Sequence, residues 1–291
     1  MLNSDVLFIS LDSCRYDTFY SSWRASCLPN ISSVGPVHKA QSPSYFTYGS
    51  HSSFWMGFTP GVASSNQPWL NPKAGKLFRM SYSGHVHSDK DDSFFLQGSN
   101  IVDGFRKLGY QTIGSGAVDW FNPSSDTGRI LSTPFEHFYY AGNTWSLQRQ
   151  LSWIESKLSN TPIDQPRFVF LNVGETHVPY WHEGAEWDPW PSPCIPFGGD
   201  NCDASESSRR QRLCLEWVDK QLTQLISKFS DSTILICSDH GDCWGEDGLW
   251  EHGISHPLTL TVPLVLKVCG KSISQDMSPS SKLRNLLSRF K

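Results

Sequence analysis

The chain has 291 residues, 38% hydrophobic and 13% aromatic, enough to bury one large α/β core. Lys and Arg number 24 against 28 Asp and Glu, a net charge of −4, with no long basic run; this argues against nucleic acid as a partner. No apolar run approaches the roughly 18 residues of a membrane span, and no basic stretch precedes the first one, so neither a membrane partner nor a signal peptide is expected and the cytoplasm is the default location.

There the eight Cys are expected as reduced thiols, and their spacing matches no zinc ribbon or finger. Cys194 and Cys202 flank a Gly-rich loop and are expected at the surface as an unpaired couple. The 12 Trp are many for this length; core and lid packing accounts for most, and some of the excess fits a pocket lining.

In chain order, Asp5 to Leu11 (DVLFISL) predicts a buried parallel strand running into the polar turn Asp12-Ser13-Cys14-Arg15. Residues 41–48 look loop-like, and Gly49 to Gly57 predicts a helix stopped by Pro60-Gly61. Residues 62–99 are polar and expected as loop. A helix over 101–108, a strand over 110–113 and a helix over 144–158 follow, then a second buried strand, Arg167 to Val173. Residues 178–202, rich in Pro, Trp and Gly, read as an irregular lid. Ser205 to Phe229 carries the longest helical pattern, and TILIC (233–237) and PLVLKV (263–268) are further strands. Strands alternating with helices predict an α/β sandwich around a largely parallel central sheet. One domain is expected over residues 1–271, with 272–291 a tail ending in a short surface helix.

Ligands bind such sheets at the carboxyl ends of strands. Two ends carry acids: Asp12 after the first strand, and Asp239-His240 after TILIC. A carboxylate and an imidazole suit zinc or manganese, with calcium or magnesium as options, and Gly241 lets the chain turn sharply behind them. Taken singly, each acid also reads as a turn or capping residue; the matching placement on two strands points to a shared site.

Four segments together resemble the alkaline phosphatase/sulfatase superfamily: VLFISLDSCRYD, SPSYFTYGSHSSFWMGFTPG, FVFLNVGETHVPY and ILICSDHGDCWGEDGLWEHGISHPLTLTVPLVL. The resemblance implies the superfamily's sandwich without its large C-terminal subdomain. It also implies one divalent metal on Asp12, Asp239 and His240. Counting ten residues back from Gly57 in the element that resembles T-G-x-x-P puts the nucleophile, also a metal ligand, at Thr47, with Ser42, Ser44, Ser50 and Ser53 as competing hydroxyls. The same comparison makes Ser50 and His51 phosphate-binding, and His177 a substrate-contacting His before Pro. His252 stands where an anion grip or leaving-group acid belongs, with His256 beside it if that stretch is helical. Arg15 either contacts substrate or pairs with an acid; Glu246 and Asp247 either support His240 or face solvent. A second metal would draw on Glu175, His177 and His252, but one metal is the preferred reading.

The sulfatase nucleophile motif needs Cys or Ser, then Pro two later and Arg four later; here those places hold Thr47, Gly49 and His51. Thr cannot become formylglycine, so the resemblance implies phosphate-type esters: a small anionic phosphomonoester, phosphodiester or phosphonate ester. Its hydroxyl needs activation, which a divalent ion supplies. The expected route runs through a phosphothreonine, with water or an acceptor alcohol as the second nucleophile.

Overall fold

The computed structural model describes residues 4–57, 81–82, 85–86 and 100–274. Residues 62–80 and most of the rest of the polar stretch, and the tail from 275 on, lie outside them. The strands in chain order are β1 (Val6–Leu11), β2 (Val37–Gln41), β3 (Ser81–Tyr82), β4 (His85–Val86), β5 (Gln111–Gly116), β6 (His137–Tyr140), β7 (Arg167–Val173), β8 (Thr233–Ser238), β9 (Cys243–Trp244), β10 (Trp250–Glu251), β11 (Thr261–Val268) and β12 (Lys271–Ser272). Eight form the central sheet, in the order β12-β11-β8-β1-β7-β5-β6, with β2 also paired to β11. The pairs among β8, β1, β7, β5 and β6 are parallel, and β11 runs antiparallel to its neighbours. This is the expected largely parallel sandwich, with no large C-terminal subdomain among the described residues.

Strand periodicity gives the sheet two unlike faces. Leu7, Ile9 and Leu11 of β1 join Val169, Leu171 and Val173 of β7 and Ile234 and Ile236 of β8 in an aliphatic layer. Phe19, Ile154, Leu215 and Val218 cover it from the helices Tyr16–Arg24, Leu147–Ser159 and Ala204–Gln221. The opposite face is aromatic: Phe8, Phe168 and Phe170 pack with Trp55 of the helix Thr47–Met56 and with Phe121. The Trp55 and Phe170 rings lie 4.8 Å apart, edge to face. Towards the carboxyl ends this face turns polar, with Ser10 and Asn172 opposite one another in register.

Several boundaries differ from the sequence expectation. The helix expected from Gly49 begins at Thr47. The pattern over 205–229 is two helices, Ala204–Gln221 and Thr223–Lys228, jointed at Leu222. At the sheet edge, pairing continues just past β12, where Ile273 N–H bonds Leu266 O at 3.1 Å. Residues 178–202 hold no helix or strand, as expected, but they are tied down: Trp187 Nε1 donates to Tyr180 O, Arg210 Nη1 to Asp188 O, and Asp203 N to Pro193 O. Cys194 is buried here rather than at the surface, and both it and Cys202 are free thiols.

Candidate active site

The parallel register of β1 and β8 creates the site. Leu11 lies opposite Ser238, so the next residues, Asp12 and Asp239, leave the sheet side by side. Both are fully buried, as is His240. One ligand atom from each of the three lies within 4.8 Å of the others. His240 Nε2 is 3.7 Å from Asp12 Oδ1 and 3.6 Å from Asp239 Oδ2.

Neighbouring groups aim these atoms. Asn172 Nδ2 donates to Asp12 Oδ2 at 3.1 Å, and Ser13 N and His240 N donate to Asp239 Oδ1 at 3.2 and 2.9 Å. His240 Nδ1 donates to Gly241 O at 3.2 Å, which leaves Nε2 with its lone pair for the cluster. Asp239 Oδ2 is buried with no hydrogen-bond partner. Burial, then the Asp12 charge, pushes the Asp239 carboxyl well above the usual range. Burial, then His252, pushes His240 well below its usual value and keeps it neutral.

Two acids and a neutral imidazole around an orphaned oxygen fit one divalent cation with a borderline donor set. Burying the two charges unpaired would cost several kcal/mol, roughly, per ion. Gly241 serves a different purpose from the one expected. Its φ is not positive; instead a Cβ there would come within 2.4 Å of Leu258 O, so glycine is needed for close approach.

Thr47 is the first residue of its helix, after Phe46 in extended conformation (φ −159°, ψ 158°). Its Oγ1 lies 3.3 Å from His240 Nε2 and 3.5 Å from Asp12 Oδ1, and the residue is 1% exposed. The helix thus starts at the cluster, where its N-terminal end favours negative charge. Three of the four competing hydroxyls are engaged: Ser42 and Ser50 donate to Asp239 O, and Ser53 to Gly49 O.

Four residues expected to bind substrate have their polar atoms committed elsewhere. Ser50 Oγ, 2.7 Å from Asp239 O, ties the nucleophile helix to the exit of β8. His51 Nδ1 donates to Thr47 O at 2.8 Å and Nε2 accepts from Ser10 Oγ at 3.1 Å. Burial lowers its pKa to about 4, so the ring is neutral although Nδ1 is 3.7 Å from Asp239 Oδ2; it braces the site from beneath. Arg15 spends Nε and Nη2 on Asp17 (2.9 and 2.6 Å) and Nη1 on Glu246 (2.7 Å), with its guanidinium 4.1 Å over the Trp244 ring. The stretch before His256 is not helical; His256 caps the helix Pro257–Leu260 through Leu258 N and contacts Asp247 Oδ2 at 3.2 Å.

His177 and His252 do stand at the cluster. The His252 ring centroid is 4.5 Å from that of His240 and 5.1 Å from that of His177. His252 Nδ1 bonds Asp242 Oδ1 at 2.7 Å. Burial works against a charge on this ring, but Asp242 outweighs it and lifts the pKa to about 9. His177 Nδ1 donates to Val178 O at 2.8 Å, leaving Nε2 as an acceptor. His240, Asp242 and His252 form a second group with ligand atoms within 4.8 Å, although Asp242 and His252 already partner each other. Asp242 was missed by sequence reading; its signal is the second acid of Asp-His-Gly-Asp. Asn172, the polar residue near the end of RFVFLNV, was a similar signal.

Glu175 is directed away from these ligands. Its Oε1 accepts Leu147 N at 2.9 Å at the start of the helix Leu147–Ser159, and burial lifts its pKa to about 7. The folded chain holds this proton more tightly than the unfolded one, so the contribution to stability is complete below about pH 4.5 and is lost as pH rises through about 7. Glu175→Gln keeps the acceptor for Leu147 and removes the charge. In denaturant titrations at pH 8 it is expected to be more stable than wild type by about 3 kcal/mol, with the difference vanishing by pH 4.5. A constant difference across that range would contradict this account.

Carboxylates leaving two adjacent parallel strands, an imidazole beside them and a helix-initiating hydroxyl define a site of the alkaline phosphatase/sulfatase superfamily. The sulfatase family model matches residues 77–272, and the chain belongs to that family. The match includes Asp239, His240 and His252; Asp12 and Thr47 precede it and join the site through the fold. Choline-sulfatase from Rhizobium meliloti (strain 1021) is 24% identical over 201 residues, which is 57% of this chain and 39% of that protein. The integral membrane lipooligosaccharide phosphoethanolamine transferase A of Neisseria meningitidis superposes with a TM-score of 0.58 at 14% identity, over 91% of this chain and 48% of that one. The C-terminal periplasmic domain of EptC from Escherichia coli, solved as a complex with Zn, gives 0.54 at 13% identity, over 92% and 73%. The chain thus spans less than half the length of the first two. No helix among the described residues is long and apolar enough to cross a membrane.

Proposed function

We propose that the chain is a metal-dependent phosphoesterase that cleaves small anionic phosphate-type esters through a phosphothreonine at Thr47. The observation that carries this reading is the buried Thr47 hydroxyl, 3.3 Å from His240 Nε2 and 3.5 Å from Asp12 Oδ1 at a helix start. Asp12, Asp239, His240 and Thr47 would hold one divalent ion, zinc or manganese by donor type; when bound, it supplies positive charge that lowers the Thr47 pKa and stabilises anionic oxygen. The deprotonated Thr47 oxygen attacks phosphorus, the bond to the leaving oxygen breaks, and that oxygen takes the proton from His252 Nε2. Water then attacks the phosphothreonine, returns a proton to His252, and frees Thr47. The first-turn amides of Thr47–Met56 stabilise the phosphoryl oxygens.

The test is a screen of aryl phosphate, bis-aryl phosphate, aryl phosphonate and aryl sulfate with added zinc or manganese. Turnover of at least one phosphorus ester well above the sulfate is expected. A sulfate ester turned over fastest would overturn the reading. The phosphoethanolamine transferases among the structural relatives support a second outcome for the same intermediate, transfer to an acceptor alcohol. Free phosphate against transferred product separates the two. A small anionic substrate and a cytoplasmic location belong to the same proposal; the net charge of −4 without a long basic run supports the first over nucleic acid.

A further inference from the structure

We infer that Tyr180 is a positioning residue for leaving-group protonation: through Asp242 it fixes the His252 ring so that Nε2 is presented to the departing oxygen. This rests on the phosphoesterase reading above. The observation is an unbroken chain of buried hydrogen bonds. Trp244 Nε1–H donates to the Tyr180 hydroxyl at 2.8 Å, the Tyr180 O–H donates to Asp242 Oδ2 at 2.6 Å, and Asp242 Oδ1 accepts His252 Nδ1–H at 2.7 Å. Both carboxylate oxygens are thereby occupied, so Asp242 has one orientation, and so has the imidazole it holds.

The three imidazoles at the cleft are held differently. His240 Nδ1 donates to Gly241 O and His177 Nδ1 to Val178 O, both backbone carbonyls of the following residue. Of the three, His252 is the one whose Nδ1 meets a carboxylate, which sets the ring's orientation and puts Nε2 on the side away from Asp242. Tyr180 is costly to place. It is 0% exposed and has φ of 56°, a left-handed backbone that bulky residues avoid. The Trp187 Nε1 bond to its carbonyl and the Trp244 bond to its hydroxyl hold it there. A packing aromatic would need no hydroxyl; this one ends on the acid behind the proposed proton donor. In the step it serves, the P–O bond to the leaving group breaks, the Nε2 proton goes to that oxygen, and Nδ1–H stays on Asp242.

The experiment compares wild type, Tyr180→Phe and Trp244→Phe on zinc-loaded protein with aryl phosphates whose leaving groups run from 4-nitrophenol to phenol. A good leaving group departs without a proton and a poor one does not. Tyr180→Phe is expected to lower kcat about 10-fold or more for phenyl phosphate and about 3-fold or less for 4-nitrophenyl phosphate, with KM little changed. Trp244→Phe should do the same to a smaller degree, which covers the case of Tyr180→Phe failing to fold. An equal loss across the series, or none, overturns the inference. Thr47→Ala in the same assays separates the two claims: full activity there sinks the nucleophile reading, while the leaving-group slope still decides the role of Tyr180. If no ester is turned over, the phosphoesterase reading falls. NMR of ¹⁵N-labelled histidine then decides the positioning claim, because the hydrogen-bonded Nδ1–H of His252 must shift in Tyr180→Phe. An unmoved resonance overturns it.

Discussion

Thr47→Ala is expected to lower kcat/KM for the best phosphorus ester by about 10³-fold or more, the scale seen when a covalent nucleophile is removed. The fold should hardly notice. Thr47 Oγ1 makes two long contacts, 3.3 and 3.5 Å, and replacing hydrogen bonds of that kind costs roughly 1 kcal/mol or less. The variant should therefore melt close to wild type and still bind metal through Asp12, Asp239 and His240. A loss of both activity and metal would make Thr47 chiefly a ligand, and retention of full activity would refute its assignment. Mass spectrometry of wild type quenched during turnover should find the phosphoryl group on the tryptic peptide that carries Thr47, and none in the variant.

The second large effect concerns Asp239. Metal-free wild type holds two adjacent buried carboxyl groups, one with an orphaned oxygen, in a site that burial makes hostile to charge. An ion that binds the folded form alone stabilises it by about 4 kcal/mol at a thousandfold excess over its Kd, on the order of 10 °C in Tm for a chain of this size. In calorimetry at pH 8, zinc or manganese should produce that rise in wild type and little or none in Asp239→Asn. The metal-free variant should melt above metal-free wild type, because the substitution removes a like-charge contact. An undiminished metal-induced shift would take Asp239 out of the ligand set.

The parts of the fold that were legible in the sequence are those whose burial is two-sided. VLFISL, RFVFLNV and TILIC are mainly apolar because both faces are covered, and they are the three central strands that carry the site. The edges were harder. Val37–Gln41 buries only Val37 and includes His38 and Lys39, and His137–Tyr140 is half-buried at every residue, so neither shows a core pattern. The helix Tyr16–Arg24 buries Thr18, Phe19 and Ser22, too few apolar residues to announce it.

In the site, spacing located the residues but not the partners of their polar atoms. Thr47, Asp12, Asp239 and His240 converge as their positions along the chain suggested. Ser50, His51, Arg15 and His256 were placed correctly in sequence but could not be assigned tasks, because those depend on contacts across the fold. Arg15 is neutralised by Asp17, two residues on, and by Glu246, 231 residues away. Tyr180 and Asp242 escaped for the same reason: a phenol meeting a carboxylate 62 positions later leaves no local pattern.

The pairing of Leu11 with Ser238 limits how this protein can change length. Side chains alternate strictly along a strand, so an insertion or deletion of one residue within Val6–Leu11 or Thr233–Ser238 would turn one acid to the far side of the sheet and leave the other without its mate. Length changes outside these two strands, such as in the turn around 230–232 at the opposite rim, leave both carboxylates in step.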